Sequence, residues 1–215
     1  MADPKSLPPA EGPVMEHDEL EWELFWHRHR SKIIGGAVAI VVAVGGAVAW
    51  SISQSLANDA AQTMLATSTD AAGWEAVIAK YPRSMSAGDA YFRLASSQRD
   101  AGKLDESTAT FQKFLAIFPE HTLAGGALLG IGQNLETAGK SDEAVASYQQ
   151  VVLTYPKSYA APVAAYSAAE IMIRQQKRDE ARRALEALVA DFPASHAGQL
   201  AQSQLQRLAS APAGN

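Results

Sequence analysis

The chain has 215 residues, 47% of them hydrophobic and 19% charged, with a net charge of -5. That apolar content excludes global disorder, and the acidic balance argues against broad nucleic-acid binding. The absence of cysteine excludes a disulfide scaffold, a thiol nucleophile, an iron–sulfur cluster and a covalently attached c-type haem. Alanine, the best helix former, occurs 42 times, so the composition points to an all-α fold.

In chain order the sequence divides into an N-terminal segment (1–31), a transmembrane helix (32–52), a repeat domain (53–209) and a flexible tail (210–215). From Ile33 to Ile52 no residue is charged. Twenty helical residues rise about 30 Å, the thickness of a bilayer's hydrocarbon core. Arg28, Arg30 and Lys32 precede this run, while the first basic residue after it is Lys80. The positive-inside rule therefore predicts a cytoplasmic N-terminus and an exported C-terminal part. Trp22, Phe25 and Trp26 on one side and Trp50 on the other suit the aromatic belts of a membrane interface. A competing reading is a signal peptide cut after Ser55-Leu56-Ala57; the apolar run is longer than a signal's, which favours retention as an anchor. Gly35, Ala39, Ala43 and Ala47 recur every fourth residue and form one helix face that admits close packing of a second helix, from another protein or another copy.

The remainder is periodic. Tyr81-Pro82, Phe118-Pro119, Tyr155-Pro156 and Phe192-Pro193 each stand 37 residues from the next. Gly102-Lys103, Gly139-Lys140 and Gln176-Lys177 keep the same spacing, as do the Asp-Glu pairs at 105, 142 and 179. Ser84, Ser158 and Ser195 follow their prolines by two, with His121 in the second unit. A repeat of this length marks a solenoid. Each unit reads as a helical hairpin. A first helix such as Ala124 to Thr137 ends at a glycine in the left-handed region. A second, capped by Ser141 or Asp142, carries Ala144, Tyr148, Val151, Val152 and Tyr155 before Pro156 stops it. Residues 53–81 form a worn first unit keeping Trp74, Val77 and Ile78, and residues 195–209 a polar capping helix.

These positions resemble the tetratricopeptide repeat. Its first large apolar residue falls on Tyr91, Leu128 and Ala165, its Leu-Gly pair on Leu94-Ala95, Ile131-Gly132 and Ala168-Ala169, and its turn on Gly102, Gly139 and Gln176. Its second-helix alanine falls on Ser107, Ala144 and Ala181, its aromatic on Phe111, Tyr148 and Leu185, and its proline on Pro119, Pro156 and Pro193. The ordinary repeat has about 34 residues, so three extra ones fall between each proline and the next large apolar position. The third unit departs furthest from the pattern. The resemblance implies a concave groove lined by the first helices. That places Phe92, Ser96 and Arg99, then Leu129, Gln133 and Glu136, then Tyr166, Glu170 and Arg174 on it. Phe92, Leu129 and Tyr166 would form an apolar ladder for a peptide, or serve as packing between helices.

Residues for catalysis are not apparent. His27 and His29 are two apart and do not share a helix face, so an interfacial role outweighs a metal site. His121 and His196 occupy loops between repeats. The Asp-Glu pairs start helices, where the dipole favours acids. The expectation is a protein that is not an enzyme and holds no metal or cofactor. The acidic juxtamembrane stretch, the Phe25-Trp26 pair before the span and the repeats after it together resemble the YfgM-like family of single-span bacterial inner-membrane proteins. That resemblance implies a periplasmic repeat domain and partners in the Sec translocon and among periplasmic chaperones. The alternative is a scaffold subunit of another membrane or envelope complex, held by the small-residue face of its span.

Overall fold

The computed structural model describes residues 17–210, and every regular element among the described residues is an α-helix. Residues 1–16, part of the N-terminal segment, and 211–215, most of the tail, lie outside the described residues. The chain divides into two compact units, Met1–Ser55 and Leu56–Asn215.

The first unit holds most of α1, which runs from His17 to Thr67. By length and composition this helix can cross a membrane, and none of its most apolar window is buried within the chain. Val38, Ile40, Val41, Val42 and Val44 are all exposed. Gly35, Ala39, Ala43 and Ala47 are exposed too, and a methyl group built on Gly35, Gly36, Gly45 or Gly46 would meet no other atom within 4 Å.

The second unit is a row of hairpins: α2 (Ala71–Lys80), α3 (Met85–Asp100), α4 (Leu104–Ile117), α5 (Ala124–Thr137), α6 (Ser141–Thr154), α7 (Ala160–Arg174), α8 (Arg178–Asp191) and α9 (His196–Ser210). The second helices α4, α6 and α8 each have 14 residues and begin 37 apart. The first helices vary: α3, α5 and α7 have 16, 14 and 15 residues, yet all end in the same register. The extra residues of the long repeat are therefore taken up before and at the start of each first helix. At its N-terminal edge, Leu65 of α1 packs with Val77 and Ala90, and Asp70 caps α2 by accepting from the Gly73 N–H at 2.8 Å.

The turns inside the hairpins share one geometry. Gly102 and Gly139 have φ of 76° and Gln176 has 62°, all left-handed. The next N–H groups, of Lys103, Lys140 and Lys177, donate to the carbonyls of Gln98, Leu135 and Met172 at 2.8, 2.9 and 2.9 Å. This is a Schellman closure, and it satisfies carbonyls that the helix end would leave unpaired. It also alters the expected cap. Lys140 occupies the N-cap of α6 without a side-chain bond, and Ser141 and Asp142 lie within the first turn. One residue, Lys140, separates the left-handed glycine from the helix, so the N-cap falls on it and not on Ser141 or Asp142.

The turns between hairpins are capped by the residue two after each proline. Ser84 and Ser195 accept from the N–H groups of Ala87 and Gly198 at 3.0 and 2.9 Å. Ser158 accepts from Ala160 N–H at 3.2 Å, and His121 Nδ1 accepts from Leu123 N–H at the same distance. The buried imidazole of His121 also stands edge-on to Phe114, at 5.3 Å between ring centres.

The main core gathers around α5. Phe111, Phe114, Tyr148 and Val151 are fully buried against it, and each apolar side chain of this size contributes about 1.5–3 kcal/mol when buried. Two of α5's glycines make room for rings: a methyl group on Gly130 would stand 2.6 Å from Phe111, and one on Gly132 2.5 Å from Tyr148. Asn134, also buried, ties α5 to the start of α4 by donating to Ser107 Oγ at 2.9 Å and Thr108 Oγ1 at 3.0 Å. The third hairpin is looser. Ala165, Ala168 and Met172 stand where the second has Leu128, Ile131 and Leu135, and between α6, α7 and α8 they line an apolar hollow of about 320 Å³.

Candidate functional site

In the repeat unit, α3 lies against α5, α5 against α7 and α7 against α9, whereas among the described residues the backbones of α4 and α6, and of α6 and α8, do not come within 8 Å of each other. The first helices therefore crowd together and the second helices splay apart. The row of first helices is the inside of the bend.

Five levels of side chains cross this inner face, because residues at i, i+4, i+7, i+11 and i+14 share a helix face. On α7 the positions are Tyr159 (the residue before the helix), Val163, Tyr166, Glu170 and, one residue further along the last turn, Arg174. On α3 they are Met85, Asp89, Phe92, Ser96 and Arg99, so this row sets a carboxylate, 3.7 Å from His121 Nε2, at the level where α7 has Val163. Three of the nine residues expected on the groove are apolar, and they differ in exposure. Leu129 is only 7% exposed and belongs to the core. Phe92 is half-buried, edge-on to Phe111 at 5.5 Å. Tyr166 is half-buried, and its hydroxyl is pushed above its ordinary pKa first by burial, then by the charge and hydrogen bond of Glu170.

The polar members meet at the opposite end of the helices. Arg99 donates to the Gln133 side-chain carbonyl across the α3–α5 boundary. Arg174 pairs with Glu136 across the α5–α7 boundary. The second Glu136 oxygen accepts from the Tyr148 hydroxyl at 2.8 Å. Burial, then that bond and charge, raise the Tyr148 pKa, so the phenol stays protonated and keeps donating. Ser96 is half-buried on the same face. Glu136 thus joins α5, α6 and α7, and Arg99, Gln133, Glu136 and Arg174 form links between neighbouring repeats.

The apolar end holds residues that the ladder did not include. Met85 is 56% exposed, Tyr159 59%, Val163 42% and Leu200 38%. A methyl group on Gly126 would collide with the Tyr159 hydroxyl and approach Phe92 to 3.2 Å, so the missing side chain deepens the face between them. A signal for these positions was in the sequence: Met85 and Tyr159 precede Phe92 and Tyr166 by two turns, Val163 precedes Tyr166 by one, and Leu200 follows Val163 by one repeat. The inner face therefore offers an apolar bay bordered by paired charges, a surface suited to side-chain contact. Among the described residues no group of three histidine, cysteine, aspartate or glutamate side chains could hold a metal ion.

The profile of the tetratricopeptide repeat-like domain matches residues 23–210. No curated protein matches the chain. Among solved structures, a tetratricopeptide repeat protein from Parabacteroides merdae is 19% identical with a TM-score of 0.51, over 65% of this chain and 52% of that one. A protein of nearly identical TPR-like repeats from Podosopora anserina is 20% identical with a TM-score of 0.51, over 72% and 82%. PcrH from Pseudomonas aeruginosa is 21% identical with a TM-score of 0.49, over 58% and 92%. At such identities the first two likenesses carry the fold alone.

Proposed function

The chain belongs to the tetratricopeptide repeat-like domain family, and from that premise we propose that it is a membrane-anchored, non-catalytic module that holds segments of partner proteins on its inner face. A helical repeat of this kind is a protein-binding architecture. The observation that carries the reading is that the first helices leave Met85, Tyr159, Val163 and Leu200, all apolar, exposed along their shared inner row. Exposed apolar residues gathered on one face mark an interaction site more often than scattered ones do.

In this reading α1 anchors the protein in a bacterial inner membrane, with the N-terminus in the cytoplasm and the repeats in the periplasm. The resemblance to single-span YfgM-like proteins supports a place beside the Sec translocon, where the bay holds emerging chains or periplasmic chaperones. A fixed scaffold subunit would instead hold one complex at constant stoichiometry through the face of Gly35, Ala39, Ala43 and Ala47.

Photocrosslinking in living membranes tests this. A crosslinking residue at Val163 should capture translocon subunits, chaperones and varied exported chains, and one at the outward Ala146 should not. With the crosslinking residue moved to Tyr159, Val163→Asp should leave the helical signal and melting temperature unchanged while removing these products. Capture from Ala146 alone overturns the inner face as the site. One partner at constant ratio selects the scaffold.

A further inference from the structure

Immediately before the apolar run, α1 carries His27, Arg28, His29, Arg30 and Lys32. We propose that this collar selects anionic lipid headgroups, so that the helix gathers acidic lipid around its cytoplasmic end; this rests on the reading of α1 as a span. Successive helical residues turn by about 100°, so Arg28 and Lys32 share one face and Arg30 takes the opposite one. All three are exposed, whereas the His29 ring stacks on Phe25 at 4.6 Å. A protein partner would be met by charge on one side; cations on opposite faces are matched by the lipid that surrounds a span. The level is also right. Lys32 adjoins the run, and Arg28, five residues before Ile33, lies about 8 Å from it at 1.5 Å per residue. That is the depth of the headgroups.

The acidic block above the collar, Glu16, Asp18, Glu19, Glu21 and Glu23, would repel the same lipids at close range. The backbone of α1 is helical from His17 onward, so Asp18 to Glu23 are carried along the axis away from the apolar run. Measured from the headgroup level at Arg28, Glu23 is five residues on, about 8 Å along the axis and one screening length at physiological salt, and Glu21 and Asp18 are about 10 and 15 Å on. The cations therefore stand at the headgroups, with most of the acidic block beyond screening range.

Single-tryptophan forms of the full chain, keeping either Trp26 at the collar or Trp50 at the far end, would be reconstituted in vesicles with brominated phosphatidylglycerol or brominated phosphatidylcholine at equal mole fraction. One surface cation is worth about a fivefold gain in anionic lipid. Quenching of Trp26 should show a preference of about that size or more for phosphatidylglycerol, quenching of Trp50 should show none, and Arg28→Gln, Arg30→Gln and Lys32→Gln together should abolish it. Equal quenching of Trp26 by both lipids, or a preference that survives the triple substitution, overturns the proposal. Quenching of neither tryptophan by either lipid overturns the span itself.

Discussion

Glycine serves two regions of this chain differently. In the first unit, Gly35, Gly36, Gly45 and Gly46 look onto empty space. In α5, Gly130 and Gly132 sit against the rings of Phe111 and Tyr148. In both places a missing side chain leaves room for close approach. In the solenoid the chain itself supplies what approaches, and the glycine is locked into a core. Along the apolar run of α1 nothing among the described residues does, and the surface stays open. The same contrast separates Leu129, buried among α5's neighbours, from Val163, one repeat and a turn away on the open face.

The strongest way to break this comparison is Leu129→Asp. A carboxylate at a 7% exposed position loses the leucine's burial and gains an unpaired charge, a cost of about 4 kcal/mol. Thermal unfolding followed by circular dichroism should fall by about 10 °C. A variant that unfolds normally would return Leu129 to the groove. Next comes Gly130→Ala. Helix propensity favours alanine by about 1 kcal/mol, but the contact with Phe111 should reverse the sign and leave a net loss of about 1–2 kcal/mol. Gly45→Ala should leave unfolding of the repeat unit unchanged; a stabilising Gly130→Ala would show that the ring has room to move. The smallest effect is Gln176→Gly. Gln176 holds a left-handed backbone where two repeats use glycine, and relieving it should raise stability by about 0.5–1 kcal/mol. A loss would mean that the glutamine side chain contributes a contact.

The architecture was legible because its markers are local. A proline stop, a left-handed turn residue and a serine two positions past the proline each act on their own neighbours, and all recur at 37 residues. That is why α5 begins and ends where its glycines and periodicity place it. The site was legible only in outline. Phe92, Leu129 and Tyr166 share a register, but burial depends on what the next repeat presents, and period alone does not separate Leu129 in the core from Val163 in the open. The Glu136–Arg174 pair, 38 residues apart, follows from how α5 and α7 settle side by side. His121 was read as loop filler; its capping nitrogen and aromatic contacts needed the fold to become visible.

The close approach of first-helix backbones to one another, without matching approach between α4 and α6 or α6 and α8, makes the repeat unit a bent spring. Each second helix is held between two first helices, α6 between α5 and α7, so the outer helices cannot swing freely. A change of curvature must therefore slide every helix against the next, the inner row included. Anything seated across α3, α5 and α7 would brace that row and set the curvature of the whole coil.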